Sequence, residues 1–227
     1  MQTLQDTHAC LHAKNIRMIK SLTNMDRKLF AAIRNQDVDG ACSALANGAN
    51  PNAQMDLGKK EFISPLGYAL MHDNTAIWNI LLQHPYLDIN HSISMGRPAL
   101  HWMAHIGDLE MVKTLIERGA NVNKLAENGT LALGYAIGHY HIGVITCLLE
   151  NGANPNAAQT PFRDMGLGET LMHMTARSGC HTNCLGLMIR HGGNPHTPDA
   201  NGITPLDIVK KRAQHIMELR AQCRPKP

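Results

Sequence analysis

A chain of 227 residues with 44% hydrophobic but only 4% aromatic content can bury a core, built from Leu, Ile, Ala and Met in thin helical layers. A formal net charge of +3 is too small to announce nucleic-acid binding. No run of about 18 apolar residues is present to span a bilayer, and the first residues lack the apolar stretch of a secretory signal.

The elements follow in order. Leu11, Met18, Ile19 and Leu22 space an amphipathic helix over 1–22 that caps what comes next. Thr23 with Asp26 has the pattern of a capping box and opens a helix anchored by Leu29. Asn-Gly-Ala-Asn-Pro-Asn at 47–52 closes that segment, and a long connection runs over 53–63. Ser-Pro-Leu at 64–66 opens the next helix, Ile77, Ile80 and Leu81 mark its partner, and Leu-Asp-Ile-Asn at 87–90 is a worn closing copy. Ala-Leu-His at 99–101 and the apolar Met111, Val112, Leu115 and Ile116 make a third pair, closed by Arg-Gly-Ala-Asn-Val-Asn at 118–123. Leu-Ala-Leu-Gly at 131–134 opens a fourth, closed by Asn-Gly-Ala-Asn-Pro-Asn at 151–156. A second long connection spans 157–168, before Leu-Met-His at 171–173 and His-Gly-Gly-Asn-Pro-His at 191–196. Thr-Pro-Leu at 204–206 starts a last helix with Ile208, Val209, Ile216 and Leu219 on its apolar side, and residues 222–227 are expected to fray. Charge concentrates there: Lys210, Lys211, Arg212, Arg220, Arg224 and Lys226 against Glu218 leave +5 after Val209.

The anchors Leu66, Leu100, Leu133, Met172 and Leu206 are 34, 33, 39 and 34 residues apart, and Leu29 lies 37 before Leu66. Opening and closing motifs recurring together at this period resemble ankyrin repeats, with their Thr-Pro-Leu-His-x-Ala signature. The resemblance covers residues 26–212 and implies an all-α ankyrin-repeat solenoid of five to six helix-turn-helix units with hairpin-like loops. Residues 23–214 form the repeat domain, and 215–227 the end of a C-terminal capping helix with a basic tail. Unit four departs from the signature at 131–134, and unit two has Gly67 where the family has His. Without the family name, the physics agrees. Thr204 suits a helix N-cap with Pro205 in its first turn. Ala69, Ala104, Ala136 and Ala176 allow close helix approach, and Gly48, Gly119, Gly152 and Gly192 sit where a left-handed residue ends a helix. Each unit is too thin to hide its own apolar face, so only stacking buries it.

Chemistry-bearing motifs are sparse. No P-loop, Gly-x-Ser-x-Gly, His-Glu-x-x-His or dinucleotide fingerprint occurs, so no enzyme, catalytic residue, cofactor or small-molecule substrate is expected. His173, Cys180, His181 and Cys184 come nearest to a metal set, but the spacing is not a zinc pattern; packing and structural hydrogen bonding are the better reading, and no metal is expected. The six cysteines read as reduced thiols of an intracellular protein, cytoplasmic or nuclear. The thirteen methionines, Met103, Met111, Met172 and Met188 among them, read as core filler.

The ankyrin resemblance implies a protein-protein interaction module, adaptor or scaffold that binds a partner in a concave groove. That groove is made by the exposed end of each first helix, five and six residues after each anchor. Those positions are Arg34 and Asn35, Met71 and His72, His105 and Ile106, Gly138 and His139, Arg177 and Ser178, then Lys211 and Arg212. None is acidic. An aromatic stripe, Tyr68, Trp102 and Tyr135, lies two after the anchors, half-structural with edges open to a partner. The expected contacts are therefore Arg34, Tyr68, His72, Trp102, His105, Tyr135, His139 and Arg177, for an acidic partner segment held more tightly at mildly acidic pH. A short array of worn repeats also suits a bacterial effector in a host cytoplasm. Nucleic acid or an anionic membrane on the basic C-terminal helix is the rival reading, with an enzyme hidden in the two long loops behind it. No self-association motif is visible, so a monomer is expected.

Overall fold

The computed structural model of the chain describes residues 22–58, 61–158, 168–178 and 182–222. The expected N-terminal capping helix, Cys10, Cys180, His181, Cys223, residues 59–60 and 159–167 of the two long connections, and the tail after 222 lie outside these. Two compact units emerge. The first comprises residues 1–102 with 117–120, and the second 103–116 with 121–227.

In the first unit α1 (Asn24–Arg34) pairs with α2 (Val38–Ala46), and α3 (Pro65–Met71) with α4 (Thr75–Gln83). Helix α1 packs on α3, and α2 on α4. The boundary between the units falls within α5 (Ala99–Ile106). Helix α6 (Leu109–Glu117) follows, then α7 (Ala132–Gly138), α8 (Ile142–Glu150), α9 (Leu171–Ser178), α10 (Thr182–Arg190) and the long α11 (Pro205–Gln222). In the second unit α7 packs on α8 and α9, and α9 on α10 and α11. No helix among the described residues is long and apolar enough to cross a membrane.

Local chemistry starts several of the helices. The Thr23 hydroxyl accepts the Asp26 amide at 3.1 Å while the Asp26 carboxylate accepts the Thr23 amide at 2.8 Å, completing the expected capping box. Ser64 caps α3 ahead of Pro65. The second helices of the pairs are capped by Asp37, Asn74 and Asp108, each accepting the amide three residues on. The residue before each of these caps, Gln36, Asp73 and Gly107, has a left-handed φ, as does Tyr140, and this reverses the chain between paired helices. The anchors Leu29, Leu66, Leu100, Leu133 and Met172 are all buried, as are Ala69, Ala104, Ala136 and Ala176 beside them. A fully buried leucine contributes about 1.5–3 kcal/mol by transfer from water, so these periodic positions carry the core.

The closing motifs become a hydrogen-bonded ladder. In each copy the first Asn or Asp side chain accepts the amide two residues on: Asn50 from Asn52, Asp88 from Asn90, Asn121 from Asn123, Asn154 from Asn156 and Asn194 from His196. That is an Asx-turn. The second Asn then reaches the next copy. Asn52 donates to the Tyr86 carbonyl and accepts from the Asp88 amide; Asn123 does the same with Gly152 and Asn154, and Asn156 with Gly192 and Asn194.

Extra length at 53–63 is not a free loop. Strands β1 (Met55–Asp56) and β2 (Phe62–Ile63) form a hairpin, and β3 (Ser92–Ser94) with β4 (Arg97–Pro98) form the next, giving an antiparallel sheet in the order β1-β2-β3-β4. Met55, Leu57 and Ile63 point inward and are buried. The second hairpin also explains Gly67, where a side chain would meet the Ile93 carbonyl at 2.2 Å. That carbonyl accepts the Ser64 amide at 3.0 Å, so the backbone occupies the place of the signature histidine.

One expectation is corrected. Cys184 is disulfide-bonded, so the six cysteines are not all thiols; Cys42 and Cys147 are free. Along α11, Ile208 and Val209 are half-buried, and Met217, which is not among the residues expected on the apolar side, is 70% exposed. The side chains of Ile216 and Leu219 fall outside the described set.

Replacing Asn156 by Ala removes both ladder bonds and is expected to cost about 1–2 kcal/mol, lowering Tm by about 2–6 °C. The control Asn47→Ala, whose side chain bonds only its own helix through Ser43, should cost under about 0.5 kcal/mol. Thermal unfolding followed by circular dichroism separates the two, and equal losses would show that the ladder adds nothing.

Candidate functional site

The eight residues expected to touch a partner divide between the units. In the first, Arg34 is exposed and His72 and Trp102 are half-buried, whereas Tyr68 is only 4% exposed. The Tyr68 ring packs edge-on against Phe30 at 5.6 Å and His72 at 4.5 Å. Burial raises its phenol pKa despite the nearby Arg34 charge. The Trp102 indole N–H donates to the Ser94 carbonyl at 3.3 Å, and the Arg97 guanidinium lies 4.4 Å above its ring, a cation–π contact that fixes the indole against the second hairpin.

In the second unit His105, Tyr135 and His139 come together. The His105 ring meets Tyr135 at 5.8 Å and His139 at 4.2 Å, both edge-on. Tyr135 is 3% exposed, and its hydroxyl accepts from Asn128 at 2.9 Å. Neither tyrosine therefore has the free edge expected of it. Each is a wedge that supports a histidine: Tyr68 behind His72, and Tyr135 behind His105. The physical reason is position. Two residues past the buried anchors Leu66 and Leu133, each tyrosine ring turns against the neighbouring helix rather than out to solvent, whereas Trp102 at the same place after Leu100 stays half-buried on the second hairpin.

His141, absent from the sequence-based set, completes this cluster. Its ring is nearly parallel to that of His139 at 6.1 Å, and its Nε2 lies 3.1 Å from the His105 carbonyl. It occupies the cap position that Asp37, Asn74 and Asp108 hold in other pairs, yet makes no cap bond to α8. A histidine replacing Asp or Asn at that register was the available sequence signal. Gly107, at φ +87°, leaves room for it: an added side chain would meet His141 Nδ1 at 2.4 Å.

Arg177 is exposed but already engaged. It pairs with Glu169, whose side chain has 0% exposure. Glu169 gave no signal in the sequence, since a Glu before a helix-opening Thr reads as a surface residue. Beside it, His173 is fully buried. Its Nδ1 accepts the Thr170 amide at 3.1 Å and its Nε2 faces the Ile203 carbonyl at 3.0 Å, so both nitrogens tie the loop before α9 to the loop before α11. Asp199 accepts the Ile203 and Asn201 amides, and the Ile203 bond above all holds its carboxyl below the usual range. Cys184, the other described member of the candidate metal set, is buried.

Short helix pairs joined by left-handed turns, anchored at a 33- to 39-residue period and laced by asparagines, define a helical repeat protein. The sequence profile of the family Ankyrin repeats (3 copies) matches residues 29–126 and 66–159, and the chain belongs to that family. Neurogenic locus notch homolog protein 2 of Homo sapiens is 31% identical over 126 residues, 56% of this chain and 5% of that one. Neurogenic locus notch homolog protein 1 of Mus musculus is 29% identical over 138 residues, 59% of this chain and again 5% of its own length. The chain thus spans a small fraction of the curated relatives it matches. An ankyrin repeat domain from Acinetobacter baumannii AYE has the same fold, with a TM-score of 0.68 at 21% identity, covering 82% of this chain and 92% of that one. Ankyrin repeats generally act as protein-protein interaction modules.

Two outcomes check this site. Burial, and then the His141 charge, lower the His139 pKa from 6.5. Its proton should therefore bind below the ordinary histidine range, and a ring-proton NMR titration reads the midpoint directly. The unfolded chain takes that proton first, so the contribution of His139 to stability is present above about pH 6.5 and is lost as pH falls from there through the folded-state value. Separately, Arg177→Ala leaves Glu169 buried and unpaired. The loss expected is about 1–3 kcal/mol, reduced from that of a fully buried pair because the arginine is partly solvated. Urea unfolding should show Arg34→Ala nearly silent beside it.

Proposed function

We propose that this chain is an adaptor that binds an acidic segment of a partner protein on the exposed ends of its first helices. The observation that carries the reading is the character of those ends. Arg34 and His72 in the first unit, and His105 and His139 in the second, reach the surface, and none of the helix-end positions in the repeat is acidic. Behind the histidines stand buried tyrosines, so the surface is held in place before a partner arrives and little ordering entropy opposes binding. Because His139 takes its proton late, affinity should rise on acidification mainly below the ordinary histidine range.

The test is affinity capture from cell lysate with mass spectrometry, comparing wild type with a His72→Glu/His139→Glu variant. Arg177 is left alone, since reversing it would strand Glu169. Both positions have solvent access, so circular dichroism should show the variant folded. Proteins retained by wild type and lost by the variant support the reading. Equal recovery of the same proteins defeats it.

A further inference from the structure

A cavity of about 640 Å³ lies between α11 and the end of α9, inside the second unit. Ile203 and Ile208 floor it, and Arg177, Lys211, Arg212 and His215 rim it. Ile203 is 40% exposed. Apolar side chains at the base and cations at the mouth make a site with two requirements, and its volume falls within the roughly 300–1,000 Å³ of ligand pockets.

We infer that this cavity receives a short acidic peptide segment of a partner protein, an apolar side chain resting on Ile203 and Ile208 while flanking carboxylates meet Lys211 and Arg212. The inference rests on the protein-binding reading above and adds a separate subsite to it. Charge accounting singles out those two cations. Arg177 already faces Glu169. Asp207, the one acid in the lining, accepts the Thr204 hydroxyl at 2.7 Å and the Thr204 amide at 3.1 Å. It is committed to the start of α11, and the Thr204 hydroxyl keeps it ionised by holding its pKa down. Lys211 and Arg212 have no carboxylate partner among the described residues, and Arg212 Nη1 lies 3.5 Å from the Arg177 carbonyl at the mouth.

Other occupants fit less well. The lining has a single aromatic group, the His215 imidazole, too little for a run of stacked bases. The chain's own ends have the wrong sign: residues 223–227 carry Arg224 and Lys226 with no acid, and residues 1–21 carry Asp6 against Lys14, Arg17 and Lys20.

The experiment is fluorescence anisotropy of the full chain with a labelled peptide Glu-Asp-Leu-Phe-Asp-Glu and its neutral counterpart Gln-Asn-Leu-Phe-Asn-Gln. The acidic peptide should bind about tenfold more tightly than the neutral one, and a Lys211→Glu/Arg212→Glu variant should lose about tenfold or more. Ile208→Asn should weaken both peptides together. His72→Glu/His139→Glu should leave peptide binding unchanged. Equal binding by wild type and folded Lys211→Glu/Arg212→Glu overturns the inference, as does no binding at all. Loss only in His72→Glu/His139→Glu moves the acidic segment to the helix ends, overturning this subsite while the adaptor reading stands. A labelled short oligothymidine that binds with the salt slope of several phosphates, where the acidic peptide does not, overturns it in favour of nucleic acid. Conversely, peptide binding here with lysate capture indifferent to His72→Glu/His139→Glu keeps the subsite and removes the helix-end surface.

Discussion

Two helices of seven to eleven residues present more apolar surface than each can cover on the other, and this shortage organises the chain. Within each unit, neighbouring pairs therefore bury their apolar faces against one another. Anchors such as Leu29, Leu66 and Leu133 are buried because they sit on those shared faces. The shortage also dictates what the loops must do, since neighbouring pairs have to meet in one register. The asparagine ladder meets that demand with two bonds per step, each linking a side chain to the backbone of the next copy.

The same economy shapes the surface. A first helix of seven or eight residues buries all but its last turn, so only its C-terminal end is left to face a partner. Tyr68 and Tyr135, two residues past their anchors, turn inward and become supports, and the residues beyond them are presented. In the second unit this gathers three imidazoles, those of His105, His139 and His141, over Tyr135. Of these, His139 is the one whose burial, with His141 beside it, lowers its pKa. At the other end of that unit, Arg177 looks like one more presented cation, yet it balances a carboxylate sealed beneath it.

The periodic part of this structure could be read from the sequence because it is written in local rules. Anchor spacing, small residues opposite them, capping box and helix-ending glycines each follow from a few neighbouring residues, and each appears where expected. What stayed hidden depends on contacts between distant positions. Nothing in the neighbourhood of Tyr68 says that Phe30 closes over it, and nothing near Glu169 says that it is covered. The connection at 53–63 reads as a loop because its strands have two residues each, too few to show alternation. His141 lies between these cases, since its register was visible but its contact with the His105 carbonyl came from the preceding pair.

Each rung of the asparagine ladder joins a copy only to the one beside it. A stretch of gene duplicated in tandem at the length of one copy would therefore encode a protein whose new rungs already have partners on both sides. A duplication of any other length would shear the ladder, unless the surplus were taken up in a hairpin, as β1 and β2 take it up by pairing Met55 with Ile63 and Asp56 with Phe62. The architecture thus tolerates change in whole steps, with its hairpins as the margin in which odd lengths survive.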